Sequence, residues 1–318
     1  MLDALKFCMG SIASKDFIPA LTHFVIEDGH VRGFNGVLGL SSPIPFDIAC
    51  KPKATTLIKA IAACTGTVQL AMTPAGRLSV KSKGFKAFID CVEGETPHAV
   101  PEGQVTNFDG QLLLDGLKAV APFIGNDAAR MWSNGVLIEN QSLFATNNVT
   151  LVQYWLGIDF PSVVNIPRDA VKEMLRINEP PLFAQLTDGS ISFHYLGDRW
   201  LRTQLYDSNN WPDISKVLDK SSAQTILDKS IFEALEYLKP FADKQGTVLF
   251  GNGKLTTHTA DNEGAEYEVE SAIVEGKYNI DMLNLLKGSA NSIDWTSYPR
   301  PCLFMGDRIR GAIIGMRQ

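Results

Sequence analysis

Gly189-Ser-Ile-Ser-Phe193, followed by Gly197-Asp-Arg199, is a phrase that this chain writes three times. It recurs as Gly76-Arg-Leu-Ser-Val80 ahead of Gly84-Phe-Lys86, and as Cys302-Leu-Phe-Met305 ahead of Gly306-Asp-Arg-Ile309. Each copy reads as two strands joined by a glycine turn. Upstream of each copy lies a short helix pattern, at Lys53–Cys64, Pro167–Ile177 and Asn279–Leu286. Farther upstream lies an amphipathic helix pattern, at Leu2–Ser14, Phe108–Phe123 and Ser230–Ala242, with strand-like segments in between. The chain therefore divides into three repeated units, 1–104, 105–217 and 218–318. A repeat of that length is a small domain with its own core, not a solenoid turn. The expected fold class is α+β, with two helices plus β-sheets in each of three repeated domains.

Turn chemistry supports the strands. Leu137-Ile-Glu-Asn-Gln-Ser-Leu-Phe-Ala-Thr146 reads as two strands around a polar turn, and Val248-Leu-Phe-Gly-Asn-Gly-Lys-Leu-Thr-Thr257 as a hairpin whose glycines supply positive φ. Asp28-Gly29 plays the same part in the first unit. Two polar segments, Glu93–Gln104 and Asp207–Ser222, read as linkers too short to be free tethers.

Composition narrows the class. A chain of 318 residues with 45% hydrophobic and 20% charged residues is expected to be globular. Its net charge is −6, so any contact with nucleic acid needs a local basic surface. Five scattered cysteines without metal-ligand spacing read as small buried residues in a reducing compartment. The N-terminus lacks the pattern of a signal peptide, and no apolar run is long enough to span a bilayer. A soluble, intracellular protein is expected. No phosphate-binding loop, dinucleotide fingerprint, Cys-x-x-Cys or nucleophile elbow occurs. Acidic residues are plentiful enough for a carboxylate pair to assemble in three dimensions, but nothing in the sequence selects one.

Arg168, Lys172 and Arg176 are spaced by four and form one cationic stripe on their helix, while Ala170, Val171, Met174 and Ile177 can face a sheet. Lys6, Lys118 and Lys239 sit on the first helices. Lys53 and Lys59 flank the second helix of the first unit, and Lys287 ends that of the third. A basic stripe is usually a solvated face. Its recurrence on equivalent helices of an acidic chain points to a surface that meets phosphates without reading bases.

Three further passages resemble one family. Val164-Asn-Ile-Pro-Arg-Asp-Ala-Val-Lys-Glu-Met-Leu-Arg-Ile177, Trp211-Pro-Asp-Ile-Ser-Lys-Val-Leu218 and Tyr278-Asn-Ile-Asp-Met-Leu-Asn-Leu-Leu-Lys287 are similar, in order and spacing, to segments of the bacterial sliding clamp, the β subunit of DNA polymerase III, and its phage relatives. Ser14-Lys-Asp-Phe-Ile-Pro-Ala-Leu21 is a weaker match in the first unit. The resemblance implies a head-to-tail homodimer closing a pseudo-sixfold ring around duplex DNA. Such a ring tethers a DNA polymerase by effective concentration and is opened by a separate clamp loader; the resemblance implies a cytoplasmic, nucleoid-associated protein that is not an enzyme, with no cofactor and no metal. It adds Lys15 to the DNA-facing candidates, in a loop after the first helix.

The resemblance also implies a groove for partner peptides, built from Thr146, Asn147, Asn148, Val149, Thr150, Leu151, Leu218, Asp219, Ile314, Gly315, Met316 and Arg317. Val149 and Thr150 replace the family's His-Arg pair, and Gly315 and Asp219 each stand where the family has proline. A different peptide preference follows, as would suit a phage clamp with its own polymerase. Two readings compete: a hydrolase or lyase using carboxylates on a repeated scaffold, and a structural assembly protein.

Overall fold

Asn140 and Gln141 both adopt positive φ, 47° and 59°. That is the backbone a two-residue hairpin turn requires, because it matches the right-handed twist of the flanking strands. Asp28-Gly29 and Asn252-Gly253 do the same. The computed structural model of the chain describes residues 1–15, 17–258, 263–269 and 274–317. Its first third contains α1 (Leu2–Cys8), β1 (Val25–Glu27), β2 (His30–Phe34), β3 (Leu38–Pro43), α2 (Ala54–Ala62), β4 (Gln69–Met72), β5 (Leu78–Ser82) and β6 (Phe85–Ile89). The middle third contains β7 (Gln104–Thr106), α3 (Gly110–Val120), β8 (Gly135–Glu139), β9 (Ser142–Thr146), β10 (Thr150–Trp155), β11 (Val164–Pro167), α4 (Arg168–Ile177), β12 (Phe183–Leu186), β13 (Ser190–Tyr195) and β14 (Arg199–Gln204). The last third contains α5 (Ser215–Leu218), β15 (Thr225–Ile226), α6 (Ser230–Leu238), β16 (Thr247–Gly251), β17 (Lys254–Thr256), β18 (Glu266–Glu268), β19 (Gly276–Asn279), α7 (Ile280–Asn284), β20 (Ser292–Ile293), β21 (Cys302–Met305) and β22 (Ile309–Ile313).

The closing phrases are strand pairs in all three thirds: β5–β6, β13–β14 and β21–β22. Two expected boundaries shift. The first helix ends at Cys8 and tightens into a 3-10 turn over Met9–Ser11, where Ser11 Oγ donates to the Cys8 carbonyl at 2.9 Å. Pro167 is not the first residue of its helix; it is the last residue of β11, opposite Gly135. β11 is an edge strand of its sheet, where a proline need not cost a ladder hydrogen bond. The Asp207–Ser222 linker is not bare either, since α5 lies within it and Leu218 is buried.

Two sheets join strands from different thirds. One has seven strands in the order β1-β2-β3-β14-β13-β12-β7, joined where Leu38 pairs with Thr203 and Ser41 with Trp200. The other has eight, β11-β8-β9-β10-β22-β21-β20-β15, joined where Thr150 pairs with Ile313 and Tyr154 with Ile309. Both joins are antiparallel, and both set the third strand after a first helix against the last strand of the following third. A three-stranded sheet, β4-β5-β6, and a four-stranded sheet, β18-β17-β16-β19, stand by themselves among the described residues.

The chain falls into two compact units, Met1–Leu114 with Asp169–Leu205, and Asp115–Arg168 with Tyr206–Gln318, and the divisions run through α3 and α4. In the first unit α1 packs on β2 and β3, and Phe24, Leu40, Leu57 and Phe193 are buried. In the second, Phe123 stacks on Phe304 with ring centroids 6.4 Å apart, and α6 packs on β18. All five cysteines are free thiols. Burial pushes Cys50 up to about 12, so that side chain stays a neutral packing group. No helix among the described residues is long and apolar enough to cross a membrane.

Phe193 is fully buried on β13 and meets Phe108 edge to face, 6.2 Å between centroids. Phe193→Ala is expected to cost about 3–5 kcal/mol, read as a lower urea midpoint. An unchanged midpoint would contradict this packing.

Candidate functional site

The cationic stripe on α4 exists, but its members are not equivalent. Lys172 is exposed and makes no ion pair among the described residues. Arg176, one turn on, is committed inside the first unit: its guanidinium holds the buried Glu173 carboxylate and donates to the Phe7 carbonyl at 2.7 Å. Donating to the Glu173 carboxylate holds the Arg176 guanidinium pKa above its ordinary value. The Cys8 thiol lies close by, and burial pushes it well up, so it stays neutral. Gly10 closes the same corner, since a Cβ there would lie 2.0 Å from the Glu173 carboxylate. Arg176 therefore ties α4 to α1 as well as carrying charge.

Lys6, Lys59 and Arg176 do come together. They rim a shallow hollow of about 520 Å³, lined otherwise by Met9, Gly10, Thr55 and Ile58. Lys53 precedes α2 and its backbone bridges to His23; Lys15 stands exposed in the loop after the first helix. In the second unit, Lys118 is exposed at the end of α3. Arg168 is half-buried and leans its guanidinium toward the Gly125 carbonyl at 3.4 Å. Lys239 pairs with Asp281 at 2.6 Å and Lys287 with Glu236 at 2.5 Å, so both have carboxylates beside them. Side-chain chemistry alone could not reveal those partners, which come from sequence-distant positions.

The residues expected at a peptide groove lie on the β9–β10 turn, at the end of α5 and in the segment after β22. The β9–β10 turn is held rigid by its own side chains. Thr146 Oγ1 donates to the Thr150 carbonyl at 2.7 Å and accepts the Asn148 N–H at 3.1 Å. Asn147 Oδ1 accepts the N–H groups of Val149 and Thr150 at 3.0 and 2.7 Å, and the Thr150 hydroxyl at 2.9 Å. Leu151 and Leu218 are both buried. They form a buried cluster with Leu303 and Ala312, covered by Trp211, Ile214 and Val217.

Asp219 is exposed and paired with Arg310 at 2.9 Å. Ile314 stays exposed while its N–H donates to the Val149 carbonyl at 2.9 Å. Gly315 is buried, and a Cβ there would lie 2.4 Å from the Tyr298 ring, which accounts for the missing proline. Met316 is clipped by its N–H to the Lys277 carbonyl and by Tyr298 Oη to its own carbonyl, at 2.7 and 2.8 Å. Arg317 is exposed. Among the described residues, no group of three or more His, Cys, Asp or Glu side chains could hold a metal ion.

Arg176→Glu would set a second carboxylate against buried Glu173, with the half-exposed position softening the penalty. It is expected to cost about 2 kcal/mol or more, whereas Lys172→Glu leaves the melting temperature within a degree or two. Equal melting curves for the two variants would contradict the structural role of Arg176.

No protein-family model matches the sequence, and no curated protein sequence matches it. Solved structures do match. The DNA polymerase sliding clamp from Bacillus subtilis aligns over 100% of this chain and 97% of its own, with a TM-score of 0.83 at 16% identity. The sliding clamp from Bartonella birtlesii, bound to griselimycin, gives 0.83 at 18% over the same shares. The polymerase III β subunit of Caulobacter crescentus gives 0.85 at 17%. Identity this low speaks for architecture alone, and from end to end this chain has the α+β DNA-clamp fold of the bacterial sliding clamps.

Proposed function

We propose that the chain is a sliding clamp: two copies close head to tail into a ring around duplex DNA and tether a DNA polymerase and a clamp loader through short peptides. The observation that carries this reading is the pattern of finished and unfinished sheets. In each join within the chain, the third strand after a first helix meets a last strand, as β3 with β14 and β10 with β22. The same rule leaves β18 without a last strand and β6 without a third strand. A second copy supplies both. Joining β18 to β6 makes one sheet of seven strands from the four-stranded and three-stranded pieces, the strand number of the sheet joined at β3 and β14. Exposed strand edges are a liability that closure removes.

Charge supports head-to-tail closure. The sheet ending in β6 carries exposed Arg77, Lys81, Lys83 and Lys86, and Arg77 and Lys86 stand over the half-exposed Phe88 ring. The β18 side carries exposed Glu263, Glu266 and Glu268, with Glu266 paired to Lys254 on β17. Unlike edges attract and like edges repel. The division into domains 1–104, 105–217 and 218–318 belongs to the same reading, supported by the recurring order of helix, strands, helix and three strands.

Of the ten expected DNA-facing cations, Lys6, Lys15, Lys53, Lys59, Lys118, Arg168 and Lys172 make no ion pair among the described residues. They are our candidates for the DNA-facing surface, with Arg176, Lys239 and Lys287 contributing less. Such a surface holds phosphates loosely enough to slide. The ring would act as a tether and needs no cofactor of its own.

Mass measurement is expected to return twice 34.8 kDa. Lys86→Glu should weaken the dimer, and Lys86→Glu combined with Glu268→Lys should restore it; monomers throughout would sink the ring. On nicked circular DNA, Lys59→Glu with Lys172→Glu should shorten retention at least tenfold at low salt while the dimer persists.

A further inference from the structure

Each third closes with three strands, β4-β5-β6, β12-β13-β14 and β20-β21-β22. In the second trio the outer edge, on β12, carries β7: Thr106 pairs with Ala184 and Gln104 with Leu186. In the third trio the outer edge, on β20, carries β15, where Thr225 pairs with Ile293. Both added strands are antiparallel, and each lies just ahead of the first helix of its third. The first trio differs. No described strand precedes α1, and none among the described residues pairs with the outer edge of β4.

That edge is unfinished in side chains as well as in backbone. Phe193 and Val80 hold the same place in the recurring closing phrases. Leu70, opposite Val80, is therefore the counterpart of Ala184, opposite Phe193. Ala184 and Ile293, beside β7 and β15, are fully buried. Leu70 is only half-buried. Met72, in one row with fully buried Leu78 and Ile89, is 41% exposed. The core row ends in solvent at β4.

The backbone offers its bonds at alternate residues. The Thr73 N–H donates to the Arg77 carbonyl at 2.9 Å. By the alternation of an antiparallel ladder, Gln69 and Ala71 also bond to β5, and the N–H and C=O groups of Leu70 and Met72 point outward. Charge is biased too. Lys81 lies between Gln69 and Lys86 in one cross-strand row. Lys83 stands beside Gly66, ahead of β4, its Cε 3.6 Å from where a Cβ on Gly66 would lie. Neither lysine makes an ion pair among the described residues. Lys86 repels Lys81 from directly opposite, which favours an acidic side chain on the β4 side.

We propose that the outer edge of β4 docks an extended, acidic segment of another protein, which joins the sheet as one antiparallel strand. Its residue opposite Leu70 is Thr or aliphatic, after Thr106 and Thr225 in the finished copies. The next residue, opposite Gln69, is Asp or Glu, in the row that holds Lys81. The one after is large and apolar. Phe108 and Leu227 fill that place, two residues beyond the threonines: Phe108 meets Phe193 edge to face, and Leu227 is buried. A bound strand covers Met72 and gives the first trio the fourth strand that the other two have. The site lies on the edge away from β6, so it goes beyond the closure of two copies and leaves it untouched.

The test uses the full chain of 318 residues and a fluorescein-labelled, end-capped peptide, Ser-Gln-Val-Thr-Glu-Leu-Asp, read by anisotropy. N-methylation of the threonine amide should weaken binding at least tenfold, because that N–H faces β4. N-methylation of the glutamate amide, which faces away, should change it less than threefold. A peptide with Lys in place of Glu and Asp should bind at least tenfold more weakly. Met72→Pro removes an outward donor and should weaken binding about tenfold, whereas Met72→Leu should not; thermal melts check that both are folded. No binding, equal losses from the two N-methyl groups, or equal binding of the Lys peptide would overturn the proposal. A dimer lost in Met72→Pro and kept in Met72→Leu would assign the edge to a second copy and overturn it as well. Retention on circular DNA is measured separately, so a failed edge and a failed ring give different results.

Discussion

Backbone pairing across the repeats is the constraint on which the rest of the structure depends. A strand edge presents unpaired N–H and C=O groups, and leaving them bare invites association. The chain resolves this twice by setting a last strand against a third strand. Leu151 opposite Ala312 and Leu40 opposite Leu201 bring apolar side chains together at the two joins, so ladder and core form at once. The same geometry leaves two short sheets, ending at β6 and β18, that pair with no further strand among the described residues. On the proposed reading, a second copy supplies the missing strands.

Electrostatics works on top of that frame. A chain of net charge −6 keeps exposed cations along α1, α2, α3 and α4, and spends some of its carboxylates locally. Glu173 is the clearest case. Buried and fastened to Arg176, it converts one member of a cationic stripe into a cross-brace between α4 and α1. The exposed pairs Lys239–Asp281 and Lys287–Glu236 are screened by water and contribute little to stability, yet they reduce the positive field at those two positions.

Much of the architecture was legible in the residues because it is governed locally. Asn140-Gln141, Asp28-Gly29 and Asn252-Gly253 turn where their φ preferences allow. The period-four stripe of α4 appears where it was expected, and the three closing phrases are strand pairs. The surroundings of the proposed groove residues were less legible. Leu151 and Leu218 pack with Leu303 and Ala312, a contact that needs β22 beside β10 and an apolar side on α5, and neither is encoded by the residues next to them in the chain.

By itself, the sequence determined the threefold recurrence, the turns, the helix faces and the absence of familiar catalytic signatures, since each depends on neighbours a few residues apart. Only the tertiary structure decided which strands join, which cations keep their charge free, and which apolar side chains are covered. Those outcomes depend on pairs such as Tyr154 with Ile309 and Asp219 with Arg310. Such pairs are far apart along the chain, and no local propensity encodes their meeting.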